Sequence, residues 1–340
     1  MAIVIFAASA SAAPALDTVA GYTATPYLSL PQETLMEGFD MDSSGNVYYI
    51  ETAYQYIGDP VYWYMPTASS LKRYNASAGT TDTLYDFSSG VYGSFVRLQG
   101  DTVYFGNSSD GAIRSIGTAG GTATDIINMA GQYDMKFDGS GEMFVSAKPG
   151  SDSTIYHVFD DGLGYVADPI AETGGYSGPI EFDDQDNLYY GLPNFGAGEV
   201  VTFTAAEIAA AVAAENTGVA ELGSADWDSY CAGLSACGYL QFDGDGNLLS
   251  SSWEGVVDMI DGLNSHDSFM SSPNGTSPGM MAWVSDMDSL FVTGTDYAIG
   301  EYSGTLFQVT AVPEPASILM ALGGLVAGAG IVRRRLRLKK

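Results

Sequence analysis

One pattern recurs six times along the chain: an apolar strand, a turn rich in Asp and Gly, then a second apolar strand. The copies begin at Glu37, Gly93, Tyr133, Gly178, Gly238 and Met280, and each reads without a gap. The first apolar residue after each turn is Val47, Val103, Met143, Leu188, Leu248 and Leu290, at spacings of 56, 40, 45, 60 and 42 residues. A further alternating strand follows the copies, as in Ser70-Leu71-Lys72-Arg73-Tyr74 and Thr305-Leu306-Phe307-Gln308-Val309. Runs such as 83–87 and 122–127 supply a fourth strand per unit.

Repeats of this length, each with three or four short strands, predict an all-β fold, a six-bladed β-propeller. Each sheet buries its faces only against its neighbours, so six units close a ring. The last unit ends at Thr310 with no outer strand of its own. Residues 18–27 are apolar, aromatic and otherwise unassigned, and are expected to close the ring as an N-terminal strand, removing an exposed edge. The propeller domain then covers 15–312. Residues 205–215 have high helix propensity and a threonine cap at Thr204, and predict a helical insertion in the fourth unit. Residues 264–279, rich in Ser, Pro, Gly and Asn, predict a long surface loop.

The two ends read differently. Residues 1–13 have an apolar core followed by small residues in Ala-x-Ala spacing, as at the end of a secretory signal peptide. A basic first region is missing, so the true start is expected upstream. At the other end Pro313-Glu314-Pro315 makes a stiff spacer. It precedes an uncharged apolar run, 316–332, which as a helix spans ~25 Å and predicts one C-terminal transmembrane helix in a thin bilayer. Arg333, Arg334, Arg335, Arg337, Lys339 and Lys340 follow, a cluster that stops translocation and stays cytoplasmic.

This order of spacer, span and basic cluster resembles the PEP-CTERM sorting signal of Gram-negative bacteria. The resemblance implies an exosortase-type membrane peptidase as partner, with Pro313, Glu314 and Pro315 as the recognised motif. It further implies export, a transient stay at the inner membrane, then the cell surface or extracellular space. An ordinary C-terminal anchor after a Pro-rich linker is the alternative.

Half of the chain's basic residues lie in that tail. The body carries 40 acidic against 6 basic residues, a balance of −34, which repels nucleic acid and anionic lipid. Cys231 and Cys237, the only cysteines, are expected to close a small loop as a disulfide in an oxidising compartment. Reduced thiols are the alternative.

The repeat also resembles NHL-type and gluconolactonase-like propellers. In the lactonase-like enzymes, that resemblance implies, acidic and amide side chains from several blades hold one divalent metal in the central channel. Ten residues before each anchor this chain has Glu37, Gly93, Tyr133, Gly178, Gly238 and Met280, so Glu37 is the one candidate ligand. A hard-cation site needs several oxygens. Turns such as Asp243-x-Asp245-x-Asn247 resemble calcium loops, which makes Asp243 and Asp245 weak candidates for Ca²⁺. Asp, Gly and Asn are equally what tight hairpin turns require, and structural turns are the favoured reading. His157 and His266 have no nucleophile motif beside them, so no catalytic residue is assigned. Tyr54, Tyr56, Tyr62, Trp63 and Tyr64 form a local aromatic cluster suited to stacking on sugar rings, whereas pairs such as Tyr48-Tyr49 and Tyr189-Tyr190 suit packing between blades.

These readings favour an exported, non-enzymatic binding propeller, with exopolysaccharide or a matrix protein as partner and no required cofactor. A metal-dependent lactonase- or lyase-like enzyme and a calcium-stabilised structural module are the alternatives.

Overall fold

A computed structural model describes residues 15–57, 63–193, 197–214, 218–252, 255–272, 276–296 and 303–312. Six antiparallel sheets follow the repeat around a ring. Blade one comprises Thr34–Met41, Val47–Ile57, Trp63–Asn75 and Thr80–Asp86, ordered from the channel outward. Blades two to five begin with the inner strands Gly93–Gln99, Gln132–Phe137, Ile180–Phe182 and Tyr239–Phe242. Blade six consists of Thr276–Val284, Ser289–Asp296 and Ser303–Ala311, and its outer strand is Tyr22–Ser29 from the chain's beginning. The expected N-terminal closure is therefore present, two residues further along the chain at its far end. The short strand Asp17–Thr18 pairs with Met270 and Ser271 and adds a fifth strand to blade five.

All six anchors lie in the second strands of their blades and are at most 5% exposed. Period-two alternation sends their neighbours to opposite sheet faces. Each sheet thus presents an apolar layer to both adjoining blades, and six hydrophobic clusters result, one at each junction. At the closing junction Phe39, Tyr49 and Met36 of blade one meet Phe291, Leu306 and Ala282 of blade six. Tyr48, Tyr49, Tyr189 and Tyr190 are all buried, as packing between blades requires.

The register corrects the gapless repeat. In blades one, three, four and five the anchor faces the residue six before it: Met41, Phe137, Phe182 and Phe242. In blade two Val103 faces Leu98, and in blade six Leu290 faces Trp283. The blade-two hairpin is one residue shorter, and the blade-six hairpin accommodates an extra residue through a 3-10 turn at Ser285–Met287.

The helical insertion is confirmed as Ala205–Ala213. Thr204 Oγ1 accepts the Glu207 N–H at 3.3 Å, and Glu207 reaches back to the Thr204 N–H at 2.8 Å, a reciprocal cap that satisfies two helix-end donors. The loop expected at 264–279 is not a loop throughout. Ser265–Ser271 is the outer strand of blade five, and Thr276–Val284 is the inner strand of blade six. An outer strand buries little, so the Ser-rich sequence serves there, with Phe269 and Met270 turned into the junction.

No helix among the described residues is long and apolar enough to cross a membrane. The span expected at 316–332, the motif Pro313-Glu314-Pro315, the basic cluster Arg333–Lys340 and the segment 1–13 lie outside the described residues.

Candidate channel site

Glu37 sits on the inner strand of blade one, within a bulge between Met36 and Phe39. Gly38 makes that bulge at φ +118°, and a Cβ there would lie 2.9 Å from the Phe95 carbonyl carbon, so only glycine fits. The bulge turns Glu37 toward the second blade. One carboxylate oxygen accepts the Gly93 N–H at 2.6 Å and the Thr52 hydroxyl at 3.1 Å. The other accepts the Tyr54 hydroxyl. Burial pushes the Glu37 carboxyl up to about 7, against the lowering effect of the Gly93 and Thr52 hydrogen bonds. A cavity of about 180 Å³ opens beside it, lined among others by Gly93, Tyr239, Ser277, Met280 and Thr293.

The positions that correspond to Glu37 in other blades carry no second acid. Tyr133 extends from blade three and donates its hydroxyl to the Gly238 carbonyl of blade five at 2.7 Å. Its ring stacks on Tyr239 with centroids 6.3 Å apart, and burial raises its pKa well above the ordinary tyrosine value. At Gly178 a Cβ would lie 1.8 Å from the Gly191 carbonyl oxygen, so no ligand-bearing side chain fits there. Among the described residues no group of three His, Cys, Asp or Glu converges as a metal site. The donor set consists of one carboxylate already engaged by three donors, together with a phenol, Ser and Thr hydroxyls and backbone. It does not fit the divalent metal that lactonase-like propellers imply.

A second tier lies one layer along the same strands. Asp40, Arg97, Lys136 and Glu181 each face the residue after their blade's anchor. Arg97 pairs with Asp134 at 2.5 Å and donates Nε to the Met135 carbonyl at 2.8 Å. Lys136 pairs with Glu181 at 2.5 Å. Asp40 accepts the Leu98 N–H at 2.8 Å, and Asp134 accepts the Ile180 N–H at 3.2 Å. Burial raises the carboxyl pKa of both Asp40 and Glu181, opposed by Arg97 at Asp40 and by Lys136 at Glu181. The belt thus stitches blades one to four together, and each buried charge has a partner. In the gapless repeat Arg97 and Lys136 fall one column apart, so the belt emerges only with the shorter blade-two hairpin.

The remaining candidates separate. Asp243 Oδ1 accepts the N–H groups of Asp245 and Asn247 at 2.9 and 2.8 Å, and Oδ2 accepts the Asn247 side chain at 2.9 Å. The same three bonds recur at Asp42 and at Asp183. These aspartates therefore cap hairpin turns. Of the aromatic cluster, Tyr54 is 7% exposed and bonded to Glu37. Tyr56 and Tyr64 pair across an extended blade-one hairpin, Ile57 pairs with Trp63, and Tyr62 lies outside the described residues.

The expected disulfide is absent: Cys231 and Cys237 are free, buried thiols. Cys231 belongs to the outer strand of blade four opposite Val200, whereas Cys237 precedes the inner strand of blade five with Sγ 3.2 Å from Ser250 Oγ. The intervening residues carry the chain from the rim of one blade to the centre of the next. Both sulfurs pack as small apolar groups in that junction. His157 is a buried strand residue, with Nε2 2.9 Å from Glu142 and its ring stacked on Phe159.

Several solved structures share the architecture. A gluconolactonase from Xanthomonas campestris superposes with a TM-score of 0.60 at 14% identity, over 87% of this chain and 91% of that one. Regucalcin, a calcium-binding protein from Agrobacterium tumefaciens, gives 0.53 at 16% identity over 86% and 94%. Virginiamycin B lyase from Staphylococcus aureus gives 0.53 at 11% identity over 86% and 100%. Likeness at these identities shows the fold alone, a six-bladed β-propeller. No protein-family model matches the chain, and no curated protein is similar to it in sequence.

Proposed function

We propose that this protein is an exported, non-enzymatic binding propeller, sorted through its C-terminal segment by an exosortase-type peptidase and acting at the cell surface or in the extracellular matrix. The observation that carries the non-enzymatic reading is the donor set of the channel, in which Glu37 is the one acid in its column. Tyr133 lies across the channel on Gly238, Gly178 leaves no room for a ligating side chain, and Glu37 is engaged by Thr52, Tyr54 and Gly93. Exopolysaccharide or a matrix protein is the partner class.

The order of the tail supports the sorting reading. The last strand ends at Ala311, and the Val312 N–H donates to the Gly21 carbonyl at 2.6 Å. Pro313 is the next residue, so processing at the motif would leave every strand of the ring in place. The intact mass of the mature protein tests this. The expected product starts near Ala13 and lacks Arg333–Lys340; a mature soluble protein that keeps those residues overturns it.

The fold likeness to a gluconolactonase and a lyase supports the alternative, a metal-dependent enzyme with Glu37 in its channel. Thermal unfolding with added Ca²⁺ or Mn²⁺ separates the two. The binding reading expects no change, whereas a metal-dependent rise in Tm that Glu37→Gln abolishes would show a channel metal and favour the alternative.

A further inference from the structure

One end of the ring is acidic. In each blade the turn after the first strand and the turn after the third lie at the same end. None of the described turns at that end contains Lys or Arg, while Asp42, Asp138, Asp183, Asp186, Asp243 and Asp288 all lie there. The helix Ala205–Ala213 folds over this end between blades three and four. Beside it runs a groove of about 470 Å³, whose apolar lining includes Phe144, Phe182, Ile208 and Val212. Asp138, Glu142 and Asp186 form its polar rim.

Each rim carboxylate is held by one oxygen. Asp138 Oδ1 caps its turn, Asp186 Oδ1 accepts the Gly139 N–H at 2.7 Å, and Glu142 Oε2 meets His157. The second oxygen of each makes no hydrogen bond among the described residues. An apolar floor with fixed carboxylates along its edge suits an occupant with apolar side chains flanked by cations. A volume of this size holds two or three large side chains. Exposed apolar residues also occur in turns of the same two blades: Leu163 of blade three is 97% exposed and Val219 of blade four 67%. A small molecule would leave both tips uncovered, and a second copy of this chain would bring a second acidic face.

We propose that this groove docks a basic amphipathic peptide segment of a partner protein, with Leu-like side chains on the floor and Lys or Arg on the rim. The proposal rests on the reading of the protein as a binding propeller. Its failure would leave the tail-processing and channel tests untouched, so the two can be told apart.

The test is fluorescence anisotropy of the full chain with a short, labelled Leu/Lys peptide patterned as an amphipathic helix. Binding is expected to saturate and to weaken with added salt. Ala209 and Ala213 line the groove; Ala209→Trp and Ala213→Trp fill it and should each weaken binding about tenfold or more. Ala210→Trp, on the exposed side of the same helix away from the groove, should leave it unchanged, and equal melting temperatures would show that all three fold. Equal affinity of the groove variants and the parent, or of a peptide with Ser in place of Leu, would reduce the effect to diffuse charge and overturn the proposal. So would the absence of saturable binding.

Discussion

The Tyr133 hydroxyl donates to the Gly238 carbonyl at 2.7 Å, joining blade three to blade five across the centre of the ring. That contact closes the channel at the level where Glu37 enters it. Tyr133→Phe leaves a buried carbonyl without its donor, which should cost about 1 kcal/mol. Tyr133→Ala should cost about 3 kcal/mol, because it also leaves a cavity beside Tyr239. Denaturant unfolding of both variants measures the difference. Equal losses would mean that the hydroxyl contributes nothing.

Glu37 gives the protein a defined pH dependence. Its carboxyl titrates at about 7 when folded against an ordinary 4.5, with burial as the main cause. Between those values the folded state binds more protons than the unfolded state, so stability falls as pH rises. The Glu37 contribution is complete below pH 4.5 and is lost as pH climbs through about 7. The full shift corresponds to about 3 kcal/mol at ~1.4 kcal/mol per pH unit. Glu37→Gln does not titrate, so its stability should vary less than the parent's over this window. Parallel curves for the two proteins would place the titration elsewhere.

Much of this site was legible before its geometry was known, and the rest failed for identifiable reasons. The anchors Val47 to Leu290 marked every second strand, because a turn fixes register locally. Glu37 stood out as the one acid in its column. Counting ten residues back misplaced the corresponding positions in blades two and six, since hairpin length there differs by one. Tyr54 read as a surface aromatic because its burial depends on Glu37 from a neighbouring strand. The outer strand Ser265–Ser271 read as a loop because a rim strand needs few apolar residues. The cysteines are close in sequence, but the step from one blade to the next between them was invisible to spacing.

The capping aspartates should behave as turn residues. Asp183→Ala removes the acceptor for two backbone N–H groups and for the Asn187 side chain. A loss of about 1–2 kcal/mol is expected, in the range of a lost helix cap. Asp243→Ala should cost a similar amount. A chelator should leave Tm unchanged in the parent protein. A chelator-sensitive Tm that Asp243→Ala removes would instead identify a calcium site.

Both cysteines should react as hidden thiols. Burial pushes the Cys237 thiol up to about 12, and burial also raises Cys231, so thiolate is scarce near neutral pH. A thiol-reactive disulfide reagent should label neither in the folded protein and both after denaturation. Reductant should not move Tm. A mass two protons lighter, restored by reductant, would show a disulfide.

Ring closure makes the chain's beginning disproportionately important for stability. Tyr22–Ser29 pairs with Thr305 to Ala311 of the last blade, so strands from the two ends of the propeller hold each other in place. Tyr27 fixes this strand from its side chain as well. Its hydroxyl donates to the Gly45 carbonyl at 2.8 Å, and its ring meets Phe291 edge-on at 5.0 Å. Tyr27→Ala should therefore cost about 2 kcal/mol through lost apolar burial. Removal of residues 1–29 should do more than subtract those contacts, because it bares the backbone edge of Ser303–Ala311 along its length. An unpaired edge of that kind is a template for intermolecular pairing. The truncated protein is expected to melt earlier and to elute as aggregates in size-exclusion chromatography. A peptide comprising residues 15–30, added during refolding, should restore part of the monomer; a truncated chain that is monomeric with an unaltered Tm would show that the ring closes without this strand.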